Sequence, residues 1–394
     1  MISKPHVDWL ALSPTLAMIG AAGLLLMVAV FVPRRPRRGV AAAIAFAAFV
    51  GAFALAVVVA AKTPNGAAIV ADSIFRDRYA AYGQLLVAGC GAVAVLISYG
   101  EQWGDEHVAE YYALLTAAGA GMAFFVQAAN LLNLFLALEW FSIALYVLCA
   151  IDIDLVGSLE AGLKYLIVGA VGSATLLFGS ALVYGATGEL SFDKIAAAGH
   201  AHDAMLVAGL AMIIAGLAFK SSAAPFHMWT PDAYQGAPTP VTSFMSSATK
   251  VAALMVTYRI LQTAFPADQR LWQLAIAVIA IISLAWGNIA ALVQRNVKRI
   301  LAYSSISHAG FMLTAVAAAS SLGVRALLFY LIPYTAMSLG AFGVVAARER
   351  ELGQPVTLAN LAGFGWERPF LGFSMWVFML GMLGFPLTGG FVGK

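Results

Sequence analysis

Charge is scarce in this sequence. Of its 394 residues only 10% are Asp, Glu, Lys or Arg, whereas 62% are hydrophobic. A soluble domain carries about 25% charged residues, because its large surface has to be covered with polar groups. The composition therefore excludes a soluble globular protein and predicts a polytopic membrane protein. A formal net charge of +3 is also too small to indicate a nucleic-acid-binding surface.

Cysteine is almost absent as well. Cys90 and Cys149 lie inside apolar runs, which is typical of small core residues, and two such thiols supply neither a metal cluster nor a disulfide framework. The sequence has no Walker motif, no dinucleotide-binding glycine pattern and no CxxC. We therefore expect this chain to bind no haem, flavin, iron–sulfur cluster or metal ion. Energy for transport would come from an ion gradient or from partner subunits.

Long apolar runs are what the sequence has in abundance. About 20 residues are enough to cross a bilayer as a helix. The first run has that length and is followed by arginines instead of a small-residue cleavage site, so it is no cleavable signal peptide. We predict an all-α, polytopic transmembrane helix bundle of about 12 helices with short loops. The predicted segments are 12–32, 40–61, 79–99, 109–127, 131–151, 161–184, 204–222, 240–263, 271–293, 301–319, 325–347 and 370–394.

Basic residues are concentrated in three loops that fall on one side of this twelve-helix arrangement. Cytoplasmic loops carry an excess of Lys and Arg. The sequence therefore predicts a bacterial cytoplasmic (inner) membrane protein whose N-terminus is outside. The loops are 33–39, 294–299 and 347–351, with Arg34, Arg35, Arg37, Arg38, Arg295, Lys298, Arg299, Arg348 and Arg350.

Two of the apolar helices are interrupted. One break contains Pro225, Pro231, Pro238 and Pro240, and the other is the glycine-rich stretch 384–394. Paired interruptions at membrane depth are typical of inverted-repeat transporters, in which broken helices surround a midplane site. We expect an N-terminal three-helix segment (1–105), a first antiporter-like repeat (106–263) and a second, incomplete repeat (264–394).

Four ionisable residues are predicted to lie well inside spanning segments: Glu139, Lys220, Lys250 and Lys394. A lysine at the bilayer centre costs at least ~2.5–3.5 kcal/mol on insertion scales, and such residues usually mark ion or proton pathways. The alternative is structural, with serines joining helices and Glu139 paired to a lysine for insertion alone. Four buried charges favour function, because a protein that needed only packing would use apolar residues.

Proton transfer is the chemistry that suits these groups. Desolvation makes an amine less basic and a nearby carboxylate opposes this, so moving the carboxylate would switch the amine between holding and releasing a proton. Hydroxyls, His227, His308 and trapped water could carry the proton onward. For each histidine a structural role is the alternative. Sodium is less well served, since it prefers oxygen ligands.

Several motifs resemble one known family. They are LAFKSSAAPFHMWTPDAYQGAPTPVTSFMSSATKVAAL around Lys220 and Lys250, ALEWFSIALYVLCA around Glu139, SLEAGLKYLIVGA (158–170), NVKRILAYSSISHAGF (296–311) and GFPLTGGFVGK at the end. In this order they resemble the antiporter-like membrane subunits of NADH–quinone oxidoreductase, respiratory complex I, from about residue 110 onward. The lysine of the GFVGK ending is similar to the N-type subunits, whereas M-type subunits have glutamate there.

This resemblance implies roles for the four charges. Glu139 and Lys220 would form the glutamate–lysine pair of a first half-channel, Lys250 would be the central connecting lysine, and Lys394 would belong to the output half. The family has about fourteen helices, so the resemblance implies that the output half is incomplete in this sequence. It also implies partners: a neighbouring antiporter-like subunit, small membrane subunits of the complex and the lipid bilayer. NADH, FMN, iron–sulfur clusters and quinone would be held by other subunits.

Other functions fit parts of the pattern. Within the same superfamily, the chain could belong to a multisubunit sodium/proton antiporter or to a membrane-bound hydrogenase. From a different class, a free-standing secondary transporter of a small solute would need a substrate pocket. A purely structural assembly subunit would tolerate neutralisation of all four charges.

Overall fold

Helices make up nearly all of the secondary structure. The computed structural model describes residues 7–63, 66–101, 107–198 and 203–394. The longer helices are α1 (Trp9–Phe31), α2 (Arg34–Ala61), α3 (Arg78–Ser98), α4 (Val108–Phe125), α5 (Leu131–Cys149), α6 (Val156–Thr187), α8 (Ala204–Lys220), α11 (Lys250–Ala264), α12 (Gln269–Leu292), α13 (Val297–Ala317), α14 (Ser321–Leu352) and α16 (Pro369–Leu383). The short ones are α7 (Phe192–Ala197), α9 (Trp229–Gly236), α10 (Thr239–Phe244), α15 (Phe364–Glu367) and α17 (Gly389–Gly393), and strands β1 (Ala67–Ile69) and β2 (Ile74–Arg76) form one antiparallel hairpin.

The predicted all-α membrane bundle is confirmed. In the described part of the chain, nine helices are long and apolar enough to cross a bilayer, and α8 and α16 are shorter apolar helices. The remaining predicted segment, 240–263, corresponds to α10, a π-helical turn at Met245–Thr249, and α11 in direct succession. Each of the twelve predicted segments therefore has a helical counterpart, and the protein is a multi-pass membrane protein.

Side-chain caps define where many of these helices begin. A capping oxygen accepts a hydrogen bond from a backbone N–H that the first helical turn leaves unpaired. Such a bond is especially needed where a helix begins near apolar surroundings, because an unpaired N–H there is costly. The capping residues are Asp8 (α1), Asp77 (α3), Asn130 (α5), Asp203 (α8), Asn296 (α13), Ser320 (α14) and Thr388 (α17).

Both predicted helix breaks are present. Helix α8 ends at Lys220, and the chain passes through turns before α9 begins at Trp229. Helix α16 ends at Leu383, and α17 begins at Gly389. The first part of the break after Lys220 is buried, with Ser221 and Ser222 each 1% exposed, whereas Pro225 and Met228 are exposed. Burial within protein is the setting in which non-helical backbone is tolerated at membrane depth.

Small residues allow some helices to pack backbone against backbone. Where α6 crosses α8, a Cβ on Gly179 would lie 2.7 Å from the carbonyl oxygen of Gly209, and a Cβ on Gly209 would lie 2.7 Å from that of Gly179. Close approach of this kind is how membrane helices associate, since lipid provides no hydrophobic driving force between them. The contact fixes the position of α8 and therefore of Lys220.

The basic loops lie together at one end of the bundle, which we call the arginine side. Arg38 donates a hydrogen bond to the carbonyl oxygen of Glu101 (2.7 Å), and Arg350 lies close to the Glu101 side chain. The β-hairpin lies at the opposite end, where Ile74 pairs with Ala128. The grouping of arginine loops that the sequence predicted is therefore confirmed.

Two similar series of helices run in opposite directions across the bundle. Helices α6 and α14 each have 32 residues, and each is followed by a short helix and then by a broken one. Helix α6 starts on the arginine side, whereas α14 ends there. This order agrees with an inverted repeat. The division at residue 263 stays a prediction, and the boundary between residues 105 and 106 lies outside the described residues.

Candidate functional site: a buried polar axis

Lys220 lies at the end of α8, inside the bundle. It is 1% exposed, and its Nζ donates hydrogen bonds to Ser142 Oγ (2.7 Å) and to the hydroxyl of Tyr165 (3.0 Å). The same nitrogen lies 4.7 Å from the ring centroid of Phe141 and 5.2 Å from that of Tyr165. Two oxygen acceptors and two aromatic faces together stabilise an ammonium group that has been removed from water.

Glu139 lies on α5, one turn before Ser142. Its Oε1 is buried and has no hydrogen-bond partner in the described part of the protein. Glu139 forms no direct ion pair with Lys220, although it is close enough for its charge to act on the amine. Farther along α5, the buried hydroxyl of Tyr146 likewise has no partner among the described residues. Ser142, not Glu139, is therefore the α5 residue that bonds Lys220.

Lys250 occupies the centre of the bundle. It is 0% exposed and is the first residue of α11, directly after the π-helical turn. Its Nζ donates to the backbone carbonyl oxygens of Ser221 and Ser305, the latter at 3.3 Å. Ser221 directly follows Lys220 in the chain, so Lys250 bonds the backbone of the residue next to Lys220.

Hydroxyl groups and an imidazole continue the line away from Lys250. Tyr334 donates to the carbonyl oxygen of Ser246 (2.9 Å), so the Ser305 hydroxyl is the donor in its 3.0 Å bond to Tyr334. The ring of His308 lies 5.4 Å from that of Tyr334, and its Nδ1 is 2.6 Å from the hydroxyl of Tyr330. His308 is thus placed between two tyrosines on α14.

Lys394 lies at the far end of this line and, unlike Lys220 and Lys250, is exposed. Its Nζ donates to the carbonyl oxygens of Met382 and Leu383 and lies 4.7 Å from the ring centroid of Phe311. A Cβ on Gly393 would come within 2.1 Å of the Tyr330 ring, so the two residues are in direct contact. Lys394, Phe311 and Tyr330 also line one cavity of about 220 Å³.

His227 is not part of this arrangement. Its ring lies 6.0 Å from that of Trp286, a residue that is 53% exposed. The buried Nδ1 of His227 has no hydrogen-bond partner among the described atoms. The structure therefore brings together Lys220, Lys250, His308 and Lys394, with Glu139 beside the first of them and His227 apart.

Sequence reasoning missed four uncharged residues: Tyr165, which bonds Lys220, and Ser305, Tyr330 and Tyr334, which belong to the line itself. A tyrosine in a membrane helix is usually interpreted as a packing residue or as an anchor at the membrane interface. A signal was nevertheless present, since Tyr330 and Tyr334 are four residues apart, on one face of a helix that also contains Pro333. Buried tyrosine hydroxyls need hydrogen-bond partners. Two tyrosines on one face of a helix therefore indicate that other polar side chains lie against that face.

The arrangement can move protons. Each hydroxyl of the line can both donate and accept a hydrogen bond, and an amine or imidazole can hold or release a proton. We call the series Lys220, Lys250, Ser305, Tyr334, His308, Tyr330 and Lys394 the polar axis. It runs through a bundle whose remaining interior is apolar for the most part.

Comparison with known proteins identifies the family. Residues 128–394 match the model of the family described as NADH:quinone oxidoreductase/Mrp antiporter, TM, which covers the whole polar axis. The chain belongs to this family. The resemblance stated from the sequence motifs is therefore confirmed.

Named relatives within the family are similar over most of the chain. NADH-quinone oxidoreductase subunit N of Salinibacter ruber is 44% identical over 315 residues, which is 79% of this chain and 62% of that protein. The subunit N of Trichlorobacter lovleyi is 40% identical over 385 residues, 96% of this chain and 78% of that protein. The chain thus spans about three fifths of the length of the first relative and about four fifths of the second.

Solved structures share the fold. A chain of respiratory complex I from Thermus thermophilus superposes with a TM-score of 0.79 at 32% identity, covering 96% of this chain and 80% of that one. A chain of an archaeal membrane-bound sulfane sulfur reductase gives 0.89 at 25% identity, with coverages of 98% and 80%. A chain of the Mrp complex from Dietzia gives 0.84 at 23% identity, with coverages of 98% and 73%, which is a likeness of fold.

Proposed function

We propose that this chain is the proton-translocating subunit N of a bacterial NADH-quinone oxidoreductase. The observation that carries the proposal is the polar axis, a row of amines, hydroxyls and an imidazole inside an apolar bundle, joined in part by hydrogen bonds. Buried amines of this kind are costly in a membrane and mark proton relays. Support for the oxidoreductase comes from relatives that bear the name subunit N at 39–46% identity.

The proposed route begins at Lys220. A proton arrives from the cytoplasm, which we propose faces the arginine side of the bundle. Buried polar atoms are nearly always hydrogen-bonded to protein or ordered water, so the unpartnered Oε1 of Glu139 would accept its bonds from water shared with Lys220. The proton then passes through Lys250 and the hydroxyls of the axis to Lys394 and the periplasm. In this orientation the N-terminus lies outside.

Redox chemistry is assigned to partner subunits. We propose that NADH, FMN, the iron–sulfur clusters and quinone are bound elsewhere in the complex, and that this chain contributes no redox centre. Its partners would be a neighbouring antiporter-like subunit and small membrane subunits, all in the inner membrane. Quinone reduction would then drive the charge movement at Glu139 through those contacts.

Proton pumping by the assembled complex in proteoliposomes tests the proposal. Replacing Lys220 by Ala, or Glu139 by Ala, should leave assembly and most NADH–quinone reductase activity intact but lower the proton flux per NADH at least tenfold. Thr175→Ala is a matched control, because its exposed hydroxyl bonds only within α6. Wild-type pumping in both the Lys220 and the Glu139 variants would refute the assignment. Pumping that requires Na⁺ would favour the sodium/proton antiporter alternative.

A further inference from the structure

A second polar feature opens on the arginine side. It is a cavity of about 600 Å³ between the starts of α6, α10 and α13 and the end of α14. Its lining includes three carboxylates, an amine, a guanidinium, three amides and two hydroxyls. We call it the vestibule and define it by Glu101, Asp152, Gln235, Thr239, Lys298 and Glu349.

Lys298, which is buried, and Glu349, which is partly exposed, form a loose pair in the vestibule wall. Lys298 is 6% exposed, and its Nζ lies 3.9 Å from Glu349 Oε1. Each partner has its own hydrogen bond: Lys298 donates to the carbonyl oxygen of Ala237 (2.8 Å), and Thr239 donates to Glu349 Oε2. A pair needed only for insertion would be expected to make close contact, because Coulomb attraction is what offsets desolvation. Here either group can change its charge without leaving the other unbonded.

Polar groups lead inward from this pair to the polar axis. Thr242, one turn after Thr239 on α10, donates to the carbonyl oxygen of Tyr234 (3.1 Å). The buried hydroxyl of Tyr234 has no hydrogen-bond partner in the described part of the chain, and it faces the hydroxyls of Ser222 and Ser305. Ser305 is two turns beyond Lys298 on α13 and bonds Lys250 through its carbonyl. These contacts place the vestibule beside the centre of the axis. Because two of them end on backbone carbonyls, water has to complete a proton route between the two.

Glu101 lies at the vestibule, outside the membrane-spanning helices. Burial raises the pKa of its carboxyl group to about 7. The negative charge of Glu349 adds to this increase, whereas the positive charges of Arg350 and, more weakly, of Lys298 and Arg38 oppose it. A carboxyl group with this pKa is partly protonated at neutral pH. It can therefore exchange protons with water and with the neighbouring Lys298 and Glu349.

We propose that Lys298 and Glu349 form a proton-loading site, filled from water through the vestibule, which supplies the Lys250 part of the polar axis. The inference rests on the proposed function and adds a second point of uptake to it. A proton leaves water, is held by the Glu349 carboxylate or the Lys298 amine, and passes through water beside the Tyr234 and Ser305 hydroxyls to the Lys250 amine. No bond between heavy atoms forms or breaks.

The test is a pair of conservative variants in the assembled complex. In Lys298→Arg the charge and the donors to Ala237 are kept, but a guanidinium is too basic to release a proton. In Glu349→Gln an acceptor for Thr239 is kept, but the group can no longer hold a proton. We expect both variants to assemble and to pump at least tenfold fewer protons per NADH, measured by dye quenching in proteoliposomes. A role in holding the loop would leave Lys298→Arg at the wild-type rate.

Two controls make the outcome decisive. Lys164→Arg changes a partly exposed lysine that pairs with Glu160 (2.7 Å) and Asp232 (3.0 Å) on the same side, and it should pump normally. Lys220→Ala is measured in the same preparation.

If Lys220→Ala loses pumping while either vestibule variant pumps at the wild-type rate, the loading site is overturned and the proposed function stands. If Lys220→Ala pumps normally, the proposed function itself fails. Should Lys298→Arg not assemble, Glu349→Gln decides by the same criterion.

Discussion

Charged residues in this protein are stabilised inside the membrane mainly by neutral oxygens. Lys220 bonds two hydroxyls, Lys250 two carbonyls and Lys394 two more. Sequence reasoning identified these lysines because a charge in an apolar run is conspicuous. It could not identify their partners, since Tyr165 and Ser305 are ordinary residues for a membrane helix. Glu139 and Lys220 form no direct ion pair in the described structure, and the functional pair that the family resemblance implies stays a prediction.

Removing the Ser142 hydroxyl tests how Lys220 is held. In Ser142→Ala the Lys220 amine keeps only Tyr165 as an oxygen acceptor, and a hydrogen bond to a charged group contributes about 1.5–3 kcal/mol. We expect proton pumping by the complex to fall roughly tenfold with unchanged assembly. Ser180→Ala is the control, since this buried hydroxyl bonds only within α6 (2.9 Å). Equal pumping by the two variants would show that Ser142 has no role in transfer.

Tyr334 tests the continuity of the axis. Tyr334→Phe preserves the ring but removes the hydroxyl that joins Ser305 to the Ser246 carbonyl. We expect pumping to fall about tenfold, whereas stability should change by only about 1 kcal/mol. Tyr79→Phe is the matched control, because Tyr79 also donates to a carbonyl, that of Met255 (2.9 Å), but away from the axis. A normal pumping rate in Tyr334→Phe would mean that protons bypass this hydroxyl.

At the scale of helices, apolar runs and breaks were predictable, and departures from regular geometry were not. The runs follow directly from the length needed to cross a bilayer. The π-helical turn at Met245–Thr249, the short helix α7 and the β-hairpin 67–76 were not foreseen. A π turn has no composition of its own, because it depends on which neighbours accept the displaced backbone groups. Here the neighbour is Tyr334, whose hydroxyl bonds the Ser246 carbonyl within the turn.

Helices α12 and α13 provide a test of close packing. A Cβ on Gly287 would lie 2.7 Å from the Ser307 nitrogen and 2.9 Å from the Tyr303 carbonyl oxygen. Because these are backbone atoms, Gly287→Ala has to separate the helices, and we expect a loss of about 1–3 kcal/mol of unfolding free energy.

Gly51→Ala is the control for this substitution. Apart from the backbone of its own helix, no atom of the described residues lies within 4 Å of the added Cβ, and alanine favours the helix by about 0.5–1 kcal/mol. Thermal unfolding of the purified chain in detergent should therefore rank Gly51→Ala above wild type and Gly287→Ala below it. The reverse order would contradict the packing described for α12 and α13.

At the scale of the whole molecule, the sequence predicted which loops lie on the same side of the membrane, but it did not predict the vestibule beside them. Three arginine-rich loops fall together because consecutive helices alternate in direction. The vestibule beside them combines residues from α9, α10, α13, α14 and the segments after α3 and α5, and contacts between such distant positions have no local pattern. An inverted order of helices agrees with the structure, and the residue at which the repeats divide stays a prediction.

The vestibule also makes stability depend on pH. The pKa of Glu101, raised to about 7 by burial, exceeds its usual value near 4.5, so the folded state binds this proton more tightly than the unfolded state does. The resulting stabilisation is fully present below about pH 4.5 and is lost as pH rises through 7. We expect the unfolding midpoint of the detergent-solubilised chain to fall between pH 5 and 8. Glu101→Gln should flatten this part of the profile, and an unchanged slope would contradict the burial of the carboxyl group.

Lys250 binds oxygens that belong to two different parts of the chain, one just beyond α8 and one inside α13. An ammonium attracts carbonyl oxygens more strongly than a neutral amine does. If Lys250 carries protons as proposed, its bonds to both segments weaken when the amine is neutral and strengthen when it is protonated. Proton occupancy and the separation of the two segments would then change together.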